Sequence, residues 1–230
     1  MTRIPRGTVR DWISGRIPRP ATGAPAEPCP GCALHEELVD RDFAAYSYLL
    51  GLYLGDGCIS AGRRGVFRLR VTLDRSYPGI VEECLEAMRR IVPSGRASVY
   101  SRPTDRVDEV SAFSKHWPCL IPQHGPGRKH ERDIELKEWQ REVLDGHPWR
   151  FLRGLVHSDG SRFTNVIRHP NRVYRYPRYN FTNHSDDIRD LFCEYCDKVG
   201  VRWRQMNRWN ISVARCESVA RMDRFVGPKV

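Results

Sequence analysis

Apolar residues recur with two different periods through the first half of the chain. Positions spaced three or four residues apart predict amphipathic helices, and strict alternation of apolar and polar positions predicts strands. Gly62 and Gly65 bracket an Arg-rich turn that is predicted to join two strands into a hairpin. The predicted elements are a helix, two strands, a helix, two strands and a helix, over residues 42–56, 58–61, 66–73, 77–92, 97–102, 109–113 and from Ser114 onward.

The same order of elements returns in the second half. An apolar lead-in starts near His130. A helix, two strands, a helix and two strands follow, over residues 149–159, 161–167, 172–183, 186–199, 201–207 and 210–215. The chain is therefore predicted to be an internal duplication of the α+β class. The first repeat spans residues 41–130 and the second spans residues 131–230.

In each repeat, one strand alternates apolar residues with basic or polar ones. The apolar positions are Phe67, Leu69, Val71, Leu73, Tyr179 and Phe181. The polar positions are Arg68, Arg70, Thr72, Arg178, Asn180 and Thr182. Because successive side chains of a strand point to opposite faces, one face is predicted to pack on helices and the other to be polar and cationic. Aligning Thr72 with Thr182 places Arg68 at the position of Arg178 and Arg70 at that of Asn180.

Two helical stretches are versions of one another. Residues 49–57 read Leu-Leu-Gly-Leu-Tyr-Leu-Gly-Asp-Gly, and residues 152–160 read Leu-Arg-Gly-Leu-Val-His-Ser-Asp-Gly. Each stretch has small residues four apart, which share one helical face and let another helix approach closely. The final glycine is expected to form a C-cap with positive φ. A carboxylate is disfavoured at the negative end of a helix dipole, so its presence in both stretches predicts a bound divalent cation.

These paired stretches resemble the LAGLIDADG homing endonuclease family, in its single-chain form with two motif copies. The resemblance covers the chain from about Asp42 to the C-terminus. It implies two pseudo-symmetric αββαββα repeats that form a saddle of antiparallel sheets and pack through the two motif helices. It also implies a monomer that binds double-stranded DNA and hydrolyses both strands, leaving a staggered break.

The resemblance further implies where the chemistry takes place. Asp56 and Asp159 would meet at the pseudo-two-fold axis, where two adjacent carboxylates repel each other unless a cation lies between them. Mg²⁺ suits such a site, because it is a hard cation that combines one or two carboxylates with water and phosphate. The family's metal-binding positions fall on Asp56 and Asp159, together with the preceding Gly55 and Ser158.

Other positions of the family's active site are matched less evenly. A basic residue late in each repeat falls on Lys129 and Lys229, which would stabilise charge on the phosphate; an ordinary basic loop and a C-terminal tail are the alternative interpretation. A polar position at the end of the second strand falls on Asn183, but on Leu73 in the first repeat. This departure predicts unequal cutting of the two strands. His157 is predicted either to be buried between the motif helices or to contact the active site.

The composition favours a polyanionic partner. Thirty-eight Lys and Arg residues against 28 Asp and Glu residues give a net charge of +10, with a pI near 9.4. Arginine predominates, and its guanidinium group binds phosphate and guanine in a bidentate manner. The candidate DNA-binding residues are Arg63, Arg64, Arg68, Arg70, Thr72, Arg102, Arg162, Arg172, Arg178, Asn180, Thr182, Arg202, Arg204 and Arg208.

The sequence also suggests a cellular setting. It contains no apolar run long enough to span a membrane and no signal-peptide pattern at its start. Its eight cysteines are interpreted as reduced thiols, and the pattern of a nucleophilic-cysteine enzyme is absent. We therefore expect a cytoplasmic protein associated with the nucleoid.

Residues 1–40 differ in character from the two repeats. A short basic helix is predicted around Trp12; it resembles the last helix of a helix-turn-helix, or it is a helical basic tail. Residues 16–28 have the composition of a linker. A cysteine knuckle follows, with candidate zinc ligands Cys29, Cys32 and His35. A structural Zn²⁺ site needs four ligands, so a metal-free knuckle is the alternative.

Three functions are consistent with the sequence. The first is a Mg²⁺-dependent, site-specific DNA endonuclease, which the two aspartates favour. The second is a catalytically silent DNA-binding regulator on the same fold, which the N-terminal helix and knuckle favour. The third is an RNA-splicing maturase, because the fold can bind structured RNA.

Overall fold

The computed structural model describes residues 42–93, 96–227 and 229. The predicted basic helix, the linker and the candidate zinc ligands Cys29, Cys32 and His35 lie outside the described residues. No helix in the described ranges has both the length and the apolar character needed to cross a lipid bilayer.

The described part of each repeat follows the predicted order of elements. In the first repeat these are α1 (Phe43–Asp56), β1 (Gly57–Ala61), β2 (Phe67–Asp74), α2 (Pro78–Ile91), β3 (Ala97–Ser101), β4 (Val107–Ser114) and α3 (Trp117–Leu120). In the second they are α4 (Glu138–Gly146), α5 (Pro148–Asp159), β5 (Gly160–His169), β6 (Arg172–Thr182), α6 (Asp186–Lys198), β7 (Arg204–Asn207), β8 (Asn210–Val213) and α7 (Cys216–Phe225). Helix α4 occupies the predicted apolar lead-in, and β7 is shorter than the strand predicted over residues 201–207.

Local signals fix the helix starts. The Asp42 carboxylate accepts a hydrogen bond from Ala45 N at 2.8 Å, which satisfies a free amide in the first turn of α1. Ser185 caps α6 by accepting from Ile188 N. Proline stands in the first turn of α2 and of α5, where its missing amide hydrogen leaves no helical hydrogen bond unmade.

Each repeat builds a four-stranded antiparallel sheet with the same topology. The strand orders are β1-β2-β4-β3 and β5-β6-β8-β7. Gly57 pairs with Val71 in the first sheet and Gly160 pairs with Phe181 in the second, so Val71 and Phe181 are equivalent. This register confirms the alignment predicted from sequence. It makes the residue two positions beyond Val71, Leu73, equivalent to Asn183.

The predicted separation of the two sheet faces is also confirmed. Leu69, Val71, Tyr179 and Phe181 are buried in the core, on the side where the helices pack. We call the opposite sides the open faces. They carry Arg68, Arg70 and Thr72 in the first sheet and Arg178, Asn180 and Thr182 in the second.

The motif helices α1 and α5 pack directly against each other and join the two repeats. A Cβ atom on Gly154 would lie 2.2 Å from Tyr48 O, and one on Gly51 would lie 2.5 Å from Phe151 O. Backbones this close leave no room for a side chain. The prediction of a helix crossing at small residues is therefore confirmed.

The glycines that follow the two aspartates are needed for a different reason from the predicted one. Gly57 has φ of −84° and Gly160 has φ of −96°, so the prediction of a positive φ was wrong. Both residues instead start a strand directly at the helix end. A Cβ on Gly57 would lie 2.5 Å from Tyr53 Cα, and one on Gly160 would lie 2.6 Å from Val156 Cα. The constraint is space at a sharp helix-to-strand turn.

Candidate functional site

Two carboxylates meet where the motif helices end. Asp56 is the last residue of α1 and Asp159 is the last residue of α5. A Cβ on Gly55 would lie 2.8 Å from Asp159 Oδ2, so the second carboxylate rests against the end of the first helix. The helix crossing at Gly51 and Gly154 brings the two ends together, because no side chains separate the backbones.

The environment of this pair favours protonation. Desolvation, and then the charge of Asp159, raise the pKa of Asp56 to about 6. Desolvation likewise raises the pKa of Asp159. Asp56 remains exposed on one side, where water screens part of the repulsion, while protein atoms crowd its other sides. A divalent cation bound between the two groups would remove this penalty.

A lysine from each repeat reaches the end of its own motif helix. Lys129 Nζ donates to three carbonyl oxygens in the last turn of α1, those of Tyr53, Leu54 and Gly55, at 2.5, 3.1 and 2.6 Å. Lys229 Nζ donates to Ser158 O at 3.0 Å. Gly55 and Ser158 are equivalent residues, each directly before an aspartate. The lysines therefore stabilise the negative ends of both helix dipoles beside the carboxylates.

Each lysine also interacts electrostatically with the aspartate of the other repeat. Desolvation lowers the pKa of Lys129 to about 8, against the opposing effects of Asp159 and, more weakly, Asp56. Desolvation lowers the pKa of Lys229, against the opposing effects of Asp56 and, more weakly, Asp159. Each lysine thus acts more strongly on the aspartate of the other repeat. Lys129 nonetheless acts more strongly than Lys229 on both aspartates, so we group the residues by position. The Asp159 set contains Asn183 and Lys129, which line one cleft with Asp159. The Asp56 set contains Leu73, the equivalent of Asn183, and Lys229, which lies over the ring of Tyr77 in the first repeat.

The two sets differ at one position. Asn183 Nδ2 donates to Asp159 Oδ2 at 2.6 Å, and Asn183 Oδ1 accepts from Ser185 N at 2.8 Å, which fixes the amide orientation. The equivalent residue in the Asp56 set, Leu73, is buried and has no donor to offer. Asp56 therefore lacks the hydrogen bond that orients Asp159.

A cleft of about 390 Å³ opens beside the Asp159 set. Its walls include the loop around Lys129 as well as Asp159 and Asn183. Three histidines that sequence reasoning missed also line it, His124, His130 and His184. The rings of His130 and His184 lie 5.7 Å apart. His184 directly follows Asn183 in the chain, and this adjacency is the signal that would have found it.

The donor set fits a hard divalent cation. Within the described ranges, no group of three or more His, Cys, Asp and Glu residues is placed to hold a metal. The site instead offers two carboxylates with the carbonyl oxygens of Gly55 and Ser158 close by. Mg²⁺ is bound by such sparse oxygen sets, because it keeps several waters and takes substrate phosphate oxygens.

Most of the candidate DNA-binding residues lie on or beside the open faces. Arg204 pairs with Ser212, which pairs with Asn180, so Arg204 shares the open face of the second sheet. Arg102 follows β3 and contacts Glu109 on the open face of the first sheet. Arg63 and Arg64 form the tip of the first hairpin, and Arg172 lies at the tip of the second.

Three candidates lie elsewhere. Arg162 pairs with Tyr179 across the strands, so it lies on the opposite side of the sheet, where its guanidinium binds Asp223 at 2.6 and 2.8 Å. Arg162 therefore does not share the open face with Arg178 and Asn180, and its binding to DNA stays a prediction from the sequence. Arg202 precedes β7, and Arg208 lies in the turn between β7 and β8.

His157 is buried between the motif helices, as one of its two interpretations predicted. Its side chain is 1% exposed, and its Nδ1 lies 2.9 Å from the Tyr48 hydroxyl. Burial lowers the pKa of His157 to about 3, so the ring is neutral. It does not line the cleft beside Asp159.

Solved structures with a similar fold are homing endonucleases. I-DmoI in complex with DNA and Mn aligns at a TM-score of 0.54 with 13% identity, over 80% of this chain and 97% of that chain. A variant of I-DmoI in complex with its target DNA in the presence of Mg aligns at 0.54 with 14% identity, over 81% and 97%. The LAGLIDADG meganuclease I-AabMI bound to uncleaved DNA aligns at 0.49 with 12% identity, over 78% and 82%. No protein-family model and no curated protein matches the sequence.

Proposed function

We propose, from the LAGLIDADG homing endonuclease fold and the paired aspartates at its centre, that this chain is a site-specific endonuclease of double-stranded DNA. The observation that carries the proposal is the meeting of Asp56 and Asp159 at two helix ends, each with a lysine beside it. A structural role does not explain two partly desolvated carboxylates at negative dipole ends. A site that binds a divalent cation such as Mg²⁺ together with a phosphodiester explains these carboxylates.

A divalent cation held at this site would supply Lewis-acid activation of the scissile phosphate and of the attacking water. Asp56 and Asp159 would hold it, with the carbonyl groups of Gly55 and Ser158 nearby. Lys129 and Lys229 place positive charge where the phosphate gains negative charge. Asn183 holds the Asp159 carboxylate in one orientation through its 2.6 Å hydrogen bond. Both strands would be cut by one chain, which acts as a pseudo-symmetric monomer and leaves a staggered break.

The open faces would supply the binding surface. Arg68, Arg70, Arg178 and Asn180 alternate with buried residues, so their side chains point away from the core. Arginine and asparagine are the residues that pair with guanine and adenine edges in the major groove. Sequence recognition is proposed to come from these side chains, and general affinity from the basic residues at the hairpin tips.

The test uses plasmid libraries with randomised target sites, incubated with the full chain and Mg²⁺ or with EDTA. We expect wild type to linearise a subset of plasmids with Mg²⁺ alone. Asp56→Asn and Asp159→Asn should abolish double-strand cleavage and leave the Kd for that subset within a few-fold. A variant that cuts both strands at the wild-type rate would show that these carboxylates are not the metal ligands.

A DNA-binding regulator without nuclease activity is the second candidate. The observation that favours it is Leu73, which leaves the Asp56 set without the donor that Asn183 supplies to Asp159. A regulator would leave every plasmid in this assay neither nicked nor linearised, with Mg²⁺ or with Mn²⁺. In a filter-binding experiment on the same library it would still retain one class of target sequence.

A further inference from the structure

One carboxylate lies at the centre of the basic open face of the first sheet. Glu109 pairs with Thr72 across β2 and β4, so it points to the same side as Arg68 and Arg70. It is 5% exposed. Its oxygens lie 2.5 Å from Arg68 Nη2, 3.8 Å from Arg70 Nη1 and 3.3 Å from Arg102 Nη2. Three guanidinium groups therefore converge on one acid.

The second sheet has a neutral residue at the same position. Asn210 pairs with Thr182, just as Glu109 pairs with Thr72. Asn210 Oδ1 accepts hydrogen bonds from Asn180 Nδ2 at 3.2 Å and from the Thr182 hydroxyl. The pseudo-symmetry of the fold thus provides an internal comparison: one repeat has a carboxylate under its arginines, and the other has an amide.

A carboxylate on a surface that faces DNA weakens non-specific binding. It repels phosphates, and it holds guanidinium groups that would otherwise neutralise them. It also restricts where those groups point. Arg68 is anchored by Glu109 and by Ser111 Oγ at 3.0 Å, and its side chain is still 33% exposed. A guanidinium held in one orientation and open to solvent is suited to a base edge, because bidentate pairing depends on direction.

We infer that Glu109 is a specificity-determining residue: it orients Arg68, Arg70 and Arg102 toward base edges and keeps them from binding phosphates indiscriminately. This inference rests on the proposed DNA-binding function. Glu109 itself is a positioning residue, since it acts through the arginines that it pairs with. Discrimination among base pairs under the first repeat would depend on it, and the second repeat would bind with less discrimination and more general affinity.

The test compares Glu109→Gln with Asp108→Asn. Both remove one negative charge from β4, but Asp108 pairs with Arg75 where β2 ends and β4 begins, and its neighbour in β2 is the buried Leu73. Kd values are measured in EDTA for the selected target, for that target with base pairs changed under the first repeat, and for a random duplex, at several salt concentrations. Thermal melting checks that each variant is folded.

We expect Glu109→Gln to bind the random duplex about ten-fold more tightly and to lose about ten-fold of its discrimination. Each arginine that is released can neutralise one more phosphate. The slope of log K against log salt should therefore become more negative by about 0.9 for each such arginine. Asp108→Asn should leave discrimination within two-fold. Unchanged discrimination and salt slope in folded Glu109→Gln would reduce Glu109 to a structural ion-pair partner and overturn the inference.

Asn210→Glu in the second repeat provides an independent test if Glu109→Gln unfolds. It should weaken random-duplex binding several-fold, because it adds a carboxylate beside Asn180. Equal or tighter binding of the random duplex would overturn the inference. Failure of the proposed function looks different: wild type would then show no preference for any duplex in the library, whatever stands at position 109.

Discussion

Asn183 donates a 2.6 Å hydrogen bond to Asp159, and the equivalent pair, Leu73 and Asp56, has no such bond. One half of the proposed catalytic centre therefore has an oriented carboxylate and the other does not. Removing a hydrogen-bond partner of a metal-binding side chain typically lowers activity 10- to 100-fold. The two strands of a bound duplex should for this reason be cut at different rates.

This difference can be measured with a target labelled separately on each strand. We expect wild type to accumulate a singly nicked duplex. Asn183→Leu should slow the faster nick by about 10- to 100-fold, because it removes the same kind of hydrogen bond. Leu73→Asn should speed the slower nick. If Asn183→Leu nicks each strand at the same rate as wild type, Asn183 does not act by orienting the Asp159 carboxylate.

The helix crossing predicts a steep loss of stability on adding one methyl group. A Cβ at Gly154 would lie 2.2 Å from the Tyr48 carbonyl oxygen, so the helices must separate. Gly154→Ala should destabilise the fold by about 3 kcal/mol and lower Tm by roughly 6–12 °C. Gly146→Ala is the matched control, since its Cβ position has no atom within 4 Å apart from its chain neighbours and the backbone of its own helix. Similar Tm values for the two variants would refute the close crossing.

The carboxylate pair predicts how stability without metal depends on pH. The pKa of Asp56 is raised to about 6, above its ordinary value near 4 in the unfolded chain. The folded protein then holds more protons than the unfolded chain between those values, so the free energy of unfolding decreases as pH rises through that window.

Asp56→Asn should therefore melt higher than wild type at pH 7.5 without metal, by about 2 °C, and no higher at pH 4. The modest size reflects water on the exposed side of Asp56. Added Mg²⁺ should raise the Tm of wild type more than that of the variant. A variant that melts below wild type at pH 7.5 in EDTA would show that Asp56 is not destabilised by its surroundings.

The two sides of the sheets should respond differently to truncation. Arg70→Ala and Arg178→Ala should each weaken discrimination at particular base pairs by about 1–3 kcal/mol, with little change in Tm. Leu69→Ala and Phe181→Ala should destabilise the fold by about 2–5 kcal/mol, because both side chains are buried. The measurements are the Kd of each of the four variants for one DNA target and the Tm of each variant. Unfolding of the arginine variants would contradict the assigned faces.

The second hairpin predicts an asymmetric footprint. Strands β5 and β6 form ten cross-strand pairs from Gly160 to His169, whereas β1 and β2 form five from Gly57 to Ala61. Five further pairs extend a hairpin by about 17 Å. At about 3.4 Å per base pair, and after allowing for the longer turn of the first hairpin, this is about four base pairs.

Hydroxyl-radical footprinting should therefore show protection that reaches further on the side of the second repeat. Deleting residues 165–168 together with residues 173–176 removes four matched pairs and preserves the alternation of faces. The protected region should then become nearly symmetric about the cleavage positions. A symmetric footprint in wild type would mean that the long hairpin does not follow the DNA.

The sequence by itself determined the duplication, the order of elements and the two sheet faces. These features follow from local periodicity, because a helical or strand pattern records which side of an element meets the core. The repeated Asp-Gly endings also identified Asp56 and Asp159. The family resemblance placed a polar position on Asn183 and on Leu73, and the strand register makes these two residues equivalent.

Only the tertiary structure decided which charges face one another. The sequence does not state that Lys129 reaches the end of α1, that Arg162 binds Asp223 on the far side of its sheet, or that Glu109 gathers three arginines. These contacts join residues between 7 and 76 positions apart. They depend on strand register and on the approach of two helices, and both are set by packing across the whole molecule.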